Sequence, residues 1–273
     1  AFLQGEERRA HEFMGARPWT EGAVEGTRFA VWAPHAKTVL LRGEMNGWDG
    51  RCHPMRPRGA TGVWELFVPG VGEGTLYKYE ILSPQGARLE KADPFGRGAE
   101  LRPDTAAVVV HESGHRWGDD QWLASRSIHQ GDSAPISVYE VHAGSWRRHP
   151  DGSWMSYREL ADTLLPYVKS LGFTHIELMP LTEHPLDQSW GYQPVGFFAP
   201  TCRYGSPDDL RYFVDRAHQS GIGILLDWVP GHFAQDGHGL GHFDGTPLFE
   251  PSDPKQAHHP DWGTRIFDYT SGG

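Results

Sequence analysis

The segment from Asp227 to His232 places a carboxylate and an imidazole at a spacing that suits the binding of hydroxyl groups. Asp227 lies at the end of an apolar run, and His232 follows five residues later, so both reach one pocket if the run is a strand of a β/α barrel. Such barrels carry their active sites at the carboxyl ends of their strands. The alternative is that Asp227 caps the loop and His232 lies on the surface.

An aromatic loop precedes this segment, between Ser189 and Pro194. Trp190 and Tyr192 flank a glycine, and Gln193 follows them. Large aromatic side chains beside glycine and proline in a long loop are unusual for a core, and their flat faces stack well on sugar rings. We expect a sugar platform here, the alternative being an aromatic plug beneath the loop.

The overall composition excludes some partners and permits others. The 273 residues carry a net charge of −10 without a cluster of Lys and Arg, which argues against nucleic acid and anionic membranes but not against a neutral polymer. No apolar run approaches the ~20 residues of a membrane-spanning helix, and no signal peptide is recognisable. Because two distant cysteines form no disulfide framework, we expect a cytoplasmic protein.

The first part of the chain has the pattern of an antiparallel β-sandwich. Short runs of β-branched and aromatic residues are separated by turn clusters, which predicts strands at Thr27–Trp32, Thr38–Arg42, Val63–Val68 and Leu76–Leu82. A short helix is expected before them, from Leu3 to Met14, with Gly15 as its end.

The second part alternates between strands and helices. Strands are predicted at Ile136–His142, His175–Pro180 and Ile222–Val229, and helices at Tyr157–Leu171 and from Ser206 to Gln219. Both helices begin with a capping signal, a Ser followed three residues later by an acidic residue or directly by a Pro. The alternation predicts parallel strands of a (β/α)8 TIM barrel, which takes about 250 residues when whole.

These patterns divide the chain into four parts. We expect a helix or linker at 1–16, an all-β, immunoglobulin-like sandwich at 17–115, a polar linker at 116–135 and the first half of a TIM barrel at 136–273. The chain begins without Met and ends in Ser-Gly-Gly, so we expect it to belong to a longer protein.

Several segments carry a resemblance to a known family. In the barrel part they are 139–146, 179–185, 190–194, 227–232, 243–246 and 259–264, which resemble glycoside hydrolase family 13, the α-amylase superfamily, and within it the glycogen branching enzymes. Upstream, 29–34 and 45–48 resemble a family 48 carbohydrate-binding module. The resemblance implies a retaining transferase that cleaves an α-1,4 glucan and joins the released chain to a 6-hydroxyl as an α-1,6 branch. The implied partners are glycogen, amylose or amylopectin.

The resemblance also implies roles for three residues. Tyr192 is similar to the aromatic residue beneath the sugar at the cleavage point, and Asp227 to the Asp that organises this subsite. His232 is similar to the residue that donates to the 6-hydroxyl of that sugar. The nucleophilic Asp and the acid/base Glu of the family lie on later strands, beyond Gly273. The resemblance therefore implies that no catalytic carboxylate is present and that the chain alone is inactive.

Neither a cofactor nor a metal is expected. Calcium-binding members of the family carry Asn before the signature His, whereas Gly231 stands here and has no side-chain oxygen to offer. His232, His238 and His242 lie in a glycine-rich segment without a cysteine, which favours solvated loop histidines over a zinc site.

Two other functions stay open. The first is a non-catalytic glucan-binding fragment that acts through Trp48, which follows an Asn-Gly turn, whereas Trp64 lies within a strand and is more typical of a core. The second is a sibling α-glucan hydrolase, either debranching or trehalose-releasing. Trp190, Gln193 and Trp48 complete the set of predicted substrate-binding residues.

Overall fold

Two antiparallel β-sheets pack face to face in the first half of the computed structural model, which describes residues 5–111 and 113–270. Their strand orders are β1-β2-β5-β4 and β3-β6-β9-β8, and β7 also pairs with β6, on the edge opposite β3. The strands are β1 (Gly15–Glu21), β2 (Val24–Trp32), β3 (Thr38–Gly43), β4 (Arg56–Pro57), β5 (Val63–Pro69), β6 (Leu76–Leu82), β7 (Arg88–Lys91), β8 (Gly98–Ala99) and β9 (Ala107–Val108).

Alternate residues of these strands form the core of the sandwich. Phe29 and Val31 on β2 are fully buried against Leu41 on β3 and against Tyr77 and Tyr79 on β6. The period of two follows from the pleat of a strand, which turns successive side chains to opposite faces. The predicted sandwich is therefore confirmed, and its four predicted strands are present.

The predicted amino-terminal helix is wrong in most of its extent. Helix α1 covers only Ala10–Phe13, and residues 1–4 lie outside the described residues. Gly15, expected to end the helix, instead begins β1, which pairs with β2 along its whole length. The far half of β1 is exposed on both faces, so its sequence lacks the alternation that predicts a strand.

Three parallel strands follow: β10 (Val138–Val141), β11 (His175–Leu178) and β14 (Gly223–Leu226), in that order across the sheet. Helices α4 (Tyr157–Ser170) and α5 (Pro207–Gln219) connect them, and the capping boxes at Ser156 and Ser206 form as predicted. The remaining elements are α3 (Ala143–Trp146), α6 (Pro254–Ala257), β12 (Thr182–Glu183), β13 (Gly196–Pro200), β15 (His232–Phe233) and β16 (Arg265–Ile266). This is the beginning of a β/α barrel.

The segment expected to be a linker contains a further helix, α2 (Asp120–His129). It lies against α5, where the Trp122 ring stacks on His218 with centroids 5.1 Å apart and Asp119 contacts the same imidazole at 2.7 Å. Helix α2 could not be predicted from its polar sequence, because a single packed aromatic residue does not produce a periodic apolar face. Within the described residues, no helix combines the length and the apolar character needed to cross a membrane.

A buried lysine joins the sandwich to the barrel. Lys91 ends β7 and is 3% exposed, and its ammonium donates hydrogen bonds to the carbonyls of Gly237, Gly239 and Gly241, at 2.8, 3.1 and 2.7 Å. Burial lowers the pKa of Lys91 to about 8, so the ammonium still predominates at neutral pH. A second contact lies nearby, where the fully buried Asp244 accepts a hydrogen bond from the His35 amide at 2.9 Å.

We expect Lys91→Met to lower the free energy of unfolding by roughly 1–3 kcal/mol, because the substitution leaves buried carbonyl groups without a donor. Chemical denaturation of the chain at neutral pH measures this effect. Lys37→Met is the matched control, since Lys37 is exposed on the same domain. Equal stabilities of the two variants would contradict the role given to Lys91.

Candidate functional site

Tyr192, Asp227 and His232 meet at the carboxyl end of β14. The Asp227 amide donates to the Leu178 carbonyl at 3.0 Å, which extends the parallel pairing by one residue and fixes the direction of its side chain. The Tyr192 hydroxyl donates to Asp227 Oδ2 at 2.5 Å, and His232 Nε2 lies 2.7 Å from the Tyr192 carbonyl oxygen. Tyr192 therefore contacts both predicted residues, Asp227 through its hydroxyl and His232 through its carbonyl.

The electrostatics of this pair favour a neutral phenol. The hydrogen bond to Asp227 and partial burial raise the pKa of Tyr192 to about 12, so its hydroxyl stays protonated. Tyr192 and Asp227 are both half-buried, which leaves them open to a ligand. A carboxylate beside an aromatic ring offers hydrogen bonds to hydroxyl groups and a flat surface to the apolar face of a sugar.

His232 is more buried than a surface residue would be, at 8% exposure. It pairs with Ile266 where β15 and β16 run antiparallel, and its ring lies edge-on to Trp262 with centroids 5.0 Å apart. In this arrangement His232 Nε2 donates a hydrogen bond to the Tyr192 carbonyl and so fixes the position of the Tyr192 backbone. Gln193 is held in the same region, because its amide donates to the Trp262 carbonyl at 3.2 Å.

Trp190 and Trp48 lie apart from these residues. The Trp190 ring is 53% exposed and stacks on His142, at 5.9 Å between centroids. Trp48 is a half-buried residue of the turn after β3, with a positive φ of 64°. Trp64, interpreted as a core residue, packs partly buried against the sandwich core. The binding roles of Trp190, Gln193 and Trp48 stay predictions.

A cluster of charges fixes the loop that carries Trp190 and Tyr192, and sequence reasoning missed it. Asp187 accepts from Arg203 at 2.8 Å and from Arg102 at 2.6 Å, and Arg203 also donates to Glu183 at 2.6 Å. The hydrogen bonds from Arg102, followed by those from Arg203, lower the pKa of Asp187 to about 2. Arg102 is 85 residues from Asp187 in the chain, so no local pattern indicates the pair.

In the part of the chain that the structure describes, no three His, Cys, Asp or Glu side chains converge as a metal site requires. His232 is engaged with the Tyr192 backbone, and Gly231 offers no side-chain ligand. The expectation of a site without metal stays a prediction.

Comparison with known proteins supplies the family. The model of carbohydrate-binding module 48, the isoamylase N-terminal domain, matches residues 13–96, and that of the alpha amylase catalytic domain matches residues 161–244. The chain is 54% identical over 98% of its length to the 1,4-alpha-glucan branching enzyme GlgB of Methylococcus capsulatus, and 57% identical over 94% to that of Rhodospirillum rubrum. The chain therefore contains a segment similar to carbohydrate-binding module 48, followed by a segment similar to the catalytic domain of alpha amylases. The predicted family and the predicted module before its barrel are thereby confirmed.

Both branching enzymes are much longer than the chain. The chain spans 36% of the Methylococcus protein and 35% of the Rhodospirillum protein. A crystal structure assigned to an alpha amylase from Salmonella typhimurium has a similar fold, with a TM-score of 0.70, 30% identity and coverage of 93% of this chain and 38% of that one.

We expect the Asp187 carboxylate to stabilise the chain in a pH-dependent way. Its pKa in the folded state lies below the ~3.9 of an unfolded chain, so its contribution is present above about pH 4 and is lost as the pH falls toward 2. The difference in unfolding free energy between wild type and Asp187→Asn should therefore be largest near neutral pH and shrink in acid. Urea denaturation between pH 7 and pH 3 measures it.

The control for this experiment is Asp162→Asn on the exposed face of α4. It should change stability little at any pH, because surface substitutions generally cost less than 0.5 kcal/mol. A destabilisation by Asp187→Asn that stays constant from pH 7 to pH 3 would show that the charge of Asp187 is not what stabilises the loop.

Proposed function

We propose that this chain forms an N-terminal part of a 1,4-α-glucan branching enzyme of glycogen biosynthesis. The observation that carries the proposal is the Tyr192–Asp227 hydrogen bond at the carboxyl end of the third barrel strand, in a chain more than 50% identical to branching enzymes across nearly its whole length. The enzyme would cleave an α-1,4 bond and transfer the released chain to a 6-hydroxyl. Glycogen, amylose and amylopectin are the proposed substrates, and the cytoplasm is the proposed location.

The residues of this chain would bind and orient the sugar rather than break its bond. The Tyr192 ring supports the sugar at the cleavage point, and Asp227 accepts hydrogen bonds from its hydroxyl groups. His232 keeps Tyr192 in position through the Tyr192 carbonyl. Retaining chemistry needs two further carboxylates about 5–5.5 Å apart, one as nucleophile and one as acid and then base. In the proposed enzyme these come from the later strands.

The open edge of the sheet supports a continuation of the barrel. Leu225 and Leu226 on β14 are 41% and 58% exposed, although strands of parallel sheets are ordinarily covered on both faces. A fourth strand beside β14 and the helix after it would cover these residues. The same strand would bring its carboxyl end next to Asp227.

The comparisons favour branching over hydrolysis. The relatives named as branching enzymes share 50–57% of their residues with this chain, whereas the alpha amylase structure shares 30%. Glucan binding by the sandwich is an additional function that the family 48 match favours. It would hold a long substrate near the barrel without taking part in the chemistry.

In the proposed full-length enzyme, Asp227→Asn should reduce kcat/KM by roughly 10²–10³-fold, as expected when a hydrogen bond at the reacting centre is lost. Tyr192→Phe, which keeps the ring, should lose less than Tyr192→Ala. Loss of iodine colour from amylose and the proton signals of α-1,6 linkages measure the reaction, and thermal unfolding checks the fold. Nearly normal turnover of a folded Asp227→Asn enzyme would refute the site.

Trp48→Ala in the 273-residue chain should weaken retention by glycogen in affinity electrophoresis, because the half-buried indole is lost from the surface of the module. Trp117→Ala, at an exposed tryptophan outside the module, serves as the control and should leave retention unchanged. If Trp48→Ala lowers the melting temperature but not the retention, Trp48 is a packing residue and not a sugar platform.

A further inference from the structure

A pocket between the sandwich and the barrel collects positive charge, although the chain as a whole carries −10. Its volume is about 600 Å³. Arg17 of β1 and Arg97 from the segment between β7 and β8 line it on the side of the sandwich, and Arg211 of α5 lines it on the side of the barrel. Phe198 of β13 and Leu210 of α5 form an apolar wall beside them. The predicted substrate-binding residues lie outside this pocket.

Arg17 is buried with more donors than acceptors around it. The residue is 7% exposed, and two N–H groups of its guanidinium donate to the carbonyls of Ala16, at 2.9 Å, and of His11. A guanidinium has five N–H groups in all. The Nε atom of Arg17 is buried and has no hydrogen-bond partner among the described residues. Because an unpaired charged donor is costly to bury, Arg17 favours an anionic acceptor in the pocket.

Arg97 supplies a charge that no carboxylate of the described residues compensates. It is half-buried and takes part in no ion pair there. Burial, followed by the repulsion from Arg97, lowers the pKa of Arg17, so the two cations face each other. The other two arginines have acidic neighbours, because Arg211 donates to Asp208 at 2.7 Å and the buried Asp93 attracts Arg17. Three arginines therefore face two carboxylates, which leaves Arg97 to bind an anion.

A phosphate group matches this arrangement. Planar guanidinium groups bind phosphate through paired N–H···O bonds, and Arg is the residue preferred for such recognition. The several oxygens of one phosphate group can accept from Arg17 and Arg97 together. The pocket is larger than a phosphate ion, and its size falls in the range of sites for small organic ligands. Phe198, which is 46% exposed and stacks on Phe95 with centroids 4.9 Å apart, offers an apolar surface for an organic part.

We infer that this pocket binds a small phosphate monoester, with its phosphate group between Arg17 and Arg97 and its organic part against Phe198. The inference is independent of the proposed function, since no residue of the sugar site takes part in it. Because the walls of the pocket come from both domains, a bound ligand joins the sandwich to the barrel. It binds the folded chain and not the unfolded one, so it raises the melting temperature.

Isothermal titration calorimetry of the 273-residue chain with inorganic phosphate and with phenyl phosphate tests the site, at an ionic strength held constant with sodium chloride. Phenyl phosphate should bind more tightly than inorganic phosphate, and phenol should not bind. Arg97→Gln should weaken the binding of both anions at least about tenfold, because a hydrogen bond to a charged group is lost. Phe198→Ala should weaken the binding of phenyl phosphate alone. Arg56→Gln is the matched control, since Arg56 is exposed on β4, at the opposite edge of the sheet from β1.

Phosphate should also raise the melting temperature of the wild type more than that of Arg97→Gln, which a merely structural role of Arg97 does not produce. Equal affinities of the wild type and a folded Arg97→Gln variant would overturn the site. So would the absence of both a binding heat and a rise in melting temperature at millimolar phosphate. If Arg97→Gln does not fold, Arg211→Gln decides by the same measurements. Inorganic phosphate that binds as tightly as phenyl phosphate overturns the monoester and assigns the site to the free ion.

Discussion

The ammonium group of Lys91, enclosed by three carbonyls, is the contact on which the geometry of the site most depends. The loop it holds follows directly from His232, and His232 in turn fastens the backbone of Tyr192. Gly237, Gly239 and Gly241 have no side chains, so these three residues can anchor the loop only through their backbone groups. A residue of the sandwich thus determines where a barrel loop lies.

Arg102, a second cation from the sandwich, anchors the loop that carries Trp190 and Tyr192. Arg102 pairs with Asp187 at the start of the turn that carries Trp190 and Tyr192. Burying a charge is costly unless it is paired or fully hydrogen-bonded, and the buried Lys91 meets that condition through its three carbonyls, whereas Arg102 is partly exposed and pairs with Asp187. Because such contacts fail when one partner shifts, they impose a single arrangement of the two domains. The module is therefore part of the framework of the site as well as a candidate binding domain.

The sequence predicts the elements whose signals are local. The alternation of β2 and β6 and the capping box at Ser156 are readable within a few residues, and Asp227 is placed in the site by its position after a strand. Strand β1 and helix α2 were missed, because their exposed or polar sequences carry no periodic signal. The contacts of Lys91 and Arg102 join residues 85 or more positions apart, and nothing in either local sequence indicates its partner.

The aromatic loop places its two large rings in different surroundings, which the sequence does not indicate. Trp190 and Tyr192 look like one platform, yet the Tyr192 hydroxyl meets Asp227 whereas the Trp190 ring meets His142. Gly191 separates them with φ 90°, and a Cβ there would collide with the Pro180 carbonyl. Glycine lets the chain reverse between two aromatic residues, so one short loop serves two adjacent surfaces.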